Sequence, residues 1–155
     1  MTIYDTSVPK SAELIHLLRH AAHYIQQEFE AELTNLDLPF QLSGTRLRLL
    51  LTIWRANAIR MNELAIKLGV KARTITEHID ALERYGLVTR VPDPNDRRAT
   101  LLQLTKEALT HIDQLKDIPE QVSKILLQKF SDEQRIQFYE LLTLLFNGKE
   151  FDFDC

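Results

Sequence analysis

The side chains best equipped for chemistry in this 155-residue chain are hydrogen-bond donors gathered in two short runs. One is Lys71-Ala72-Arg73-Thr74-Ile75-Thr76-Glu77-His78, and the other is Asp96-Arg97-Arg98. A guanidinium presents N–H donors in a planar fork that matches phosphate oxygens or the O6 and N7 edge of guanine. The Thr74 and Thr76 hydroxyls can bond phosphate, and a threonine methyl can touch the methyl of thymine. These groups recognise a surface and do not transform a substrate. No glycine-rich phosphate loop, nucleophile elbow or paired metal-ligand motif occurs, so no enzymatic reaction and no cofactor are expected.

Charge is distributed to match. The formal net charge of −3 conceals a basic middle, because residues 44–106 carry twelve Lys or Arg against six acids. Residues 1–43 carry two bases against six acids, and residues 107–155 five against ten. One basic segment between acidic flanks is the asymmetry expected where a single region meets phosphate. Hydrophobic residues at 45% suffice for a core, yet no apolar run approaches the roughly 18 residues of a membrane span. Met1 to Lys10 lacks the apolar stretch of a signal peptide. The lone cysteine, Cys155, allows no intramolecular disulfide. A soluble, cytoplasmic protein without membrane contact is expected.

The surrounding elements must position the two runs. Leu14, Leu17, Leu18, Ala21, Ala22, Ile25 and Phe29 form an apolar stripe, predicting a helix over Ser11 to Leu33 that the Asp37–Pro39 region breaks. Ser43 precedes a second helix carrying Leu47, Leu50, Leu51 and Trp54, and Ala58 to Arg60 reads as an extended connector. Asn62 is the expected N-cap of a helix containing Leu64, Ala65 and Leu68, which Gly69 stops. Another helix spans Ala72 to Tyr85 with Ile75, Ile79 and Leu82 inward, and Gly86 stops it. Two helices joined by a short glycine-containing turn are the helix-turn-helix pattern. Leu87 to Val91 and Ala99 to Leu104 read as strands flanking the dense turn sequence Pro92-Asp93-Pro94-Asn95-Asp96, giving a hairpin with a long basic tip. Thr105 caps a helix expected to reach Phe130, broken at Pro119. Ser131 and Gln134 form a capping box for a final helix that Gly148 ends.

With this order of elements the chain resembles the MarR (multiple antibiotic resistance) family of winged-helix regulators. The resemblance covers residues 11 to 147 and rests on Leu42-Ser43, Asn62-Glu63-Leu64-Ala65, Leu68-Gly69-Val70 and Thr74-Ile75-Thr76. Leu82-Glu83-Arg84-Tyr85-Gly86-Leu87-Val88, Asp93-Pro94-Asn95-Asp96-Arg97-Arg98 and Leu104-Thr105 complete it. It implies a mainly α fold with a small β wing, in which residues 43–104 form a winged helix-turn-helix DNA-binding domain. Residues 1–42 and 105–155 form a helical dimerisation region. The implied function is sequence-specific transcriptional regulation, as a repressor, by a homodimer on a palindromic operator in double-stranded DNA. Lys71, Arg73, Thr74, Thr76, Glu77 and His78 then face the major groove. Arg97 and Arg98 enter the minor groove while Asp96 fixes the tip. Glu77 and the Lys71-Ala72 start depart from the common family pattern and bear on base preference.

The apolar residues Leu14, Leu18, Ile118, Leu126, Phe138, Leu141, Leu145 and Phe146 are expected to meet a second protomer. Family members commonly release DNA on binding a small aromatic or anionic effector between the two regions, and His20, Tyr24, Arg46 and Trp54 are the candidate lining residues. Metal binding is not expected. The alternative, a zinc-responsive regulator, draws on His16, His20 and His23, which share one helical face, with His111 elsewhere. A winged helix serving as a protein-interaction module is the other alternative, and the basic wing argues against it.

Overall fold

Residues 7–146 are described by a computed structural model. They run α1 (Ser11–Asn35), a 3-10 turn (Pro39–Gln41), α2 (Gly44–Ala56), β1 (Ile59–Arg60), α3 (Met61–Leu68) and α4 (Ala72–Arg84). The hairpin β2 (Val88–Asp93) and β3 (Asp96–Leu104) follows, then α5 (Lys106–Leu115), α6 (Ile118–Leu126) and α7 (Asp132–Leu144). The fold is the expected one, mainly helical with a small three-stranded antiparallel sheet in the order β1-β3-β2.

Local chemistry explains most boundaries. The Ser43 hydroxyl accepts the Arg46 N–H at 3.3 Å and opens α2, and Thr105 does the same for Ala108 at 3.1 Å to open α5. At the start of α7, Ser131 and Gln134 exchange bonds of 3.0 and 3.2 Å, the predicted capping box. Gly69 ends α3 at φ 62°, a left-handed conformation that an L side chain resists, and Lys71 is already the N-cap of α4. Where α1 gives way to α2, Asp37, Phe40 and Gln41 also take positive φ, a conformation that costs roughly 1–3 kcal/mol at a non-glycine residue. Packing supports the turn, with the Phe40 ring 5.1 Å from that of His111 and 6.5 Å from that of Tyr85.

Several boundaries differ from expectation. Helix α3 begins at Met61 with Arg60 as its N-cap, and Asn62 lies one residue inside the helix. The cause is Glu63, whose carboxylate accepts the Arg60 backbone N–H at 3.2 Å and fixes the first turn earlier. The expected long helix to Phe130 is two helices, and the break lies at Lys116–Asp117, ahead of Pro119. Proline lacks an N–H to donate, so it fits the first turn of α6, where that donor would be unpaired anyway. The end of the last helix at Gly148 lies outside the described residues.

One core joins the chain. Leu47, Leu50 and Ile53 of α2, Leu64 of α3, Ile75, Ile79 and Leu82 of α4, and Leu102 of β3 are fully or almost fully buried together. Leu33 of α1, Ala108, Ile112 and Leu115 of α5, and Ile118 and Val122 of α6 belong to the same cluster. Ile118 therefore packs inside its own chain and is not free for a second protomer, while Leu126 rests against the same core and stays partly exposed. By contrast Leu14 and Leu17 in α1 and Leu141 and Leu145 in α7 are more than half exposed.

Candidate nucleic-acid interface

Helix α4 divides its residues by period. Ile75, Ile79 and Leu82 sit in the core, which turns Lys71, Arg73, Thr74, Thr76 and Glu77 outward. Among the described residues no carboxylate pairs with the side chains of Lys71, Arg73, Arg97 or Arg98. Lys71 supplies no side-chain acceptor as N-cap, so the first-turn N–H groups of α4 face outward with the positive end of the helix dipole. The Thr76 hydroxyl already donates to the Ala72 carbonyl at 3.0 Å, leaving its lone pairs and methyl for a ligand. His78 is only partly exposed, and it and the exposed Thr74 both border a cavity that opens beside the helix.

The end of α4 is tied to the hairpin. Gly86, at φ 71°, reverses the chain, and its carbonyl accepts the Thr105 hydroxyl at 2.6 Å. Arg90 of β2 reaches back to α4 and bonds Asp80 at 2.7 Å and Glu83 at 2.9 Å. Two acids that would repel phosphate are thereby paired with a cation.

At the hairpin tip the register is uneven. Pro92 faces Thr100, while the next residue, Asp93, faces Asp96, so Arg97, Arg98 and Ala99 bulge from β3 with no residue opposite. The expected long loop is instead a two-residue turn, Pro94-Asn95, with both strands extended toward it and both arginines thrust out by the bulge. Asp96 accepts the backbone N–H of Arg98 at 3.0 Å, so it shapes the tip through the main chain.

Sequence reasoning missed the residue that organises this tip. Asp93 is 6% exposed, accepts the Asn95 N–H at 2.8 Å, and receives Arg60 Nε at 2.8 Å and Nη2 at 2.5 Å. The Asn95 N–H first, and then the Arg60 guanidinium, hold its carboxyl below the ordinary 3.8. Hydrogen bonding to Asp93 in turn raises Arg60 above its usual value. Both stay charged at neutral pH. Thirty-three positions separate the partners, and nothing local in the sequence links them.

Comparison with known proteins agrees with this geometry. The sequence model of the MarR family matches residues 42–100, from the cap of α2 to the bulge. The transcriptional regulator YdgJ of Bacillus subtilis, of helix-turn-helix type, is 30% identical over 139 residues, covering 90% of this chain and 80% of that protein. The chain belongs to the MarR family. This MarR-family transcriptional regulator shares its fold with a MarR variant from E. coli in complex with operator DNA. There the TM-score is 0.75 at 23% identity, over 86% of this chain and 93% of the other. The organohalide-sensing regulator RdhR in its 2,4-dichlorophenol-bound form is similar at TM-score 0.70 and 20% identity, over 95% and 89%.

In the MarR-family chain a cavity of about 480 Å³ lies among α1, α2, α4 and α6. Ala22, Ile25 and Phe29 of α1, Leu51 of α2 and Ile75 of α4 give it an apolar wall, and Glu30, Arg48 and His78 supply charge and polarity. His20, Tyr24, Arg46 and Trp54 are not among its lining residues. His20 and Tyr24 lie two positions from Ala22, about 200° around α1, and are exposed. Arg46 turns to the Tyr85 ring, 5.9 Å away, and Trp54 packs against the core. Among the described residues no group of three or more His, Cys, Asp or Glu is placed to hold a metal ion, and no helix is long and apolar enough to cross a membrane. The His16 and His20 rings meet edge to face, with centroids 4.3 Å apart.

Proposed function

We propose that this regulator acts in the cytoplasm as a repressor, a homodimer on a palindromic operator. Residues 43–104 contact DNA, and the remaining helices join the protomers. Lys71, Arg73, Thr74, Thr76 and Glu77, with His78 at the edge, meet the major groove, and Arg97 and Arg98 enter the minor groove. The carrying observation is the bulge that pushes two unpaired arginines out beyond a helix whose outward face is polar and whose inward face is core. The operator-bound E. coli relative supports the same use of the fold. Leu14, Ile15 and Leu17 on α1 and Leu141, Leu144 and Leu145 on α7 supply exposed apolar surface for a second copy. Two protomers per duplex are expected, with a footprint of twofold symmetry whose half-sites lie about 34–36 Å apart. Sedimentation and hydroxyl-radical footprinting test this. One protomer on an asymmetric footprint contradicts it.

The effector's place in this reading is the cavity beside α4, whose lining does not include His20, Tyr24, Arg46 or Trp54. A small aromatic or anionic compound there would press on Thr74, Ile75 and His78, which move with the reading helix. The dichlorophenol-bound relative supports a compound of that size. Ala22→Trp fills the cavity from an exposed position on α1. The variant is expected to hold operator DNA normally yet resist release across a panel of benzoates and phenols that release the parent protein. Equal release of both would show that the effector does not bind in this cavity.

A further inference from the structure

We propose that Arg60 and Asp93 are positioning residues that aim the wing, so that operator affinity depends on their pairing although neither need touch DNA. The inference rests on the DNA-binding reading above and adds a cause for the direction of the two arginines.

Beyond Thr100 the hairpin has no third strand beside it, because β1 pairs with β3 only at Leu101 and Leu102. A two-stranded ribbon is marginal by itself, and a bulge bends and twists it further. Its direction therefore needs an anchor. At the base of the wing Arg90 holds Asp80 and Glu83 of α4. At the tip the anchor is Asp93, which Arg60 grips with two donors on one oxygen while the Asn95 N–H takes the other. Arg60 is also the N-cap of α3. One side chain thus connects the first helix of the helix-turn-helix to the hairpin tip, where the bulge of β3 carries Arg97 and Arg98. A pair exposed on both sides would contribute little. Here the carboxylate is buried with its acceptors filled, and losing the guanidinium strands a buried charge.

Net charge and positioning predict opposite results for one of two substitutions. Arg60→Gln removes a cation and Asp93→Asn removes an anion, so by charge alone the first weakens DNA binding and the second strengthens it. By positioning, both weaken it. The probe is a duplex selected from a random library with the unaltered protein, its affinity measured across salt. Each single variant is expected to lose roughly ten-fold in affinity and to flatten the salt dependence toward that of Arg98→Ala. Arg60→Lys, which keeps the charge without the fork, should recover part of the loss. Added to the double variant Arg97→Ala/Arg98→Ala, either substitution should lower affinity no further, because the groups being aimed are gone.

Asp93→Asn binding as well as or better than the parent would overturn the proposal, as would losses that simply multiply with that of Arg97→Ala/Arg98→Ala. Should Arg60→Gln fail to fold, Asp93→Asn, which keeps an acceptor for the Asn95 N–H, decides alone. Failure of the DNA reading itself would be visible earlier, since the unaltered protein would then select no duplex, and the positioning role would fall with it.

Discussion

Replacing Arg98 by alanine is expected to weaken operator binding by about 1–3 kcal/mol for each wing, roughly ten- to a hundred-fold, and to lower the slope of log affinity against log salt by about one. The reasoning begins in the backbone. The bulge leaves Arg98 with no cross-strand neighbour, and the Asp96 carboxylate takes its N–H at 3.0 Å, which orients the residue outward. No carboxylate among the described residues holds its guanidinium. An arginine in a narrow minor groove meets enhanced negative potential and releases counterions there. Fluorescence anisotropy across a salt series reads both quantities. An unchanged affinity and slope would show that the wing does not reach DNA. Since Arg98 is exposed, the melting temperature should stay close to that of the parent.

Leu82→Ala should instead damage the fold, by about 2–5 kcal/mol. Leu82 is fully buried at the end of α4, and its carbonyl accepts the Leu87 N–H at 2.9 Å where the chain turns into the wing. Alanine leaves a cavity at the junction of α4 and the hairpin, and surroundings fixed by Ile79, Leu64 and Leu102 can close it only in part. Urea unfolding at fixed protein concentration measures the loss as a lower midpoint at unchanged slope. Ile66→Ala is the control, because Ile66 is 78% exposed on α3 and its truncation should stay within about 0.5 kcal/mol. A loss below about 1 kcal/mol at Leu82 would mean that α4 is not seated as described.

What could be read from the sequence was whatever a few neighbouring residues decide. Ile75, Ile79 and Leu82 repeat at helical spacing, Gly69 and Gly86 sit where only a left-handed turn continues the chain, and Ser43, Thr105 and Ser131 cap their helices through bonds three residues long. These sufficed for the winged helix and for the division of α4 into a buried and an exposed face. What stayed hidden depends on distant partners. Asn62 looked like a cap because its competitor, the Glu63 carboxylate bonding back to Arg60, is invisible to a rule about the capping side chain alone. Pro119 marked a break correctly but not its place, since proline is tolerated in a helix's first turn.

The wing shows the same limit. A run of Pro, Asp and Asn announces a turn, but only the pairing of Pro92 with Thr100 and Asp93 with Asp96 reveals that the turn is short and the arginines lie in a bulge. Ile118 is apolar and near the chain's second half, which fits an interface as well as a core. Its burial beside Leu115 and Val122 decides for the core.

This MarR-family regulator should distinguish one DNA sequence from another, and its affinity for a selected duplex against a random duplex of equal length measures that discrimination. The two should be titrated together from low to physiological salt. A preference of about a thousand-fold or more at physiological salt, persisting as overall affinity falls, is the predicted result. Equal affinity for both duplexes, disappearing together as salt rises, would mean that the protein holds DNA by charge alone and does not read its sequence.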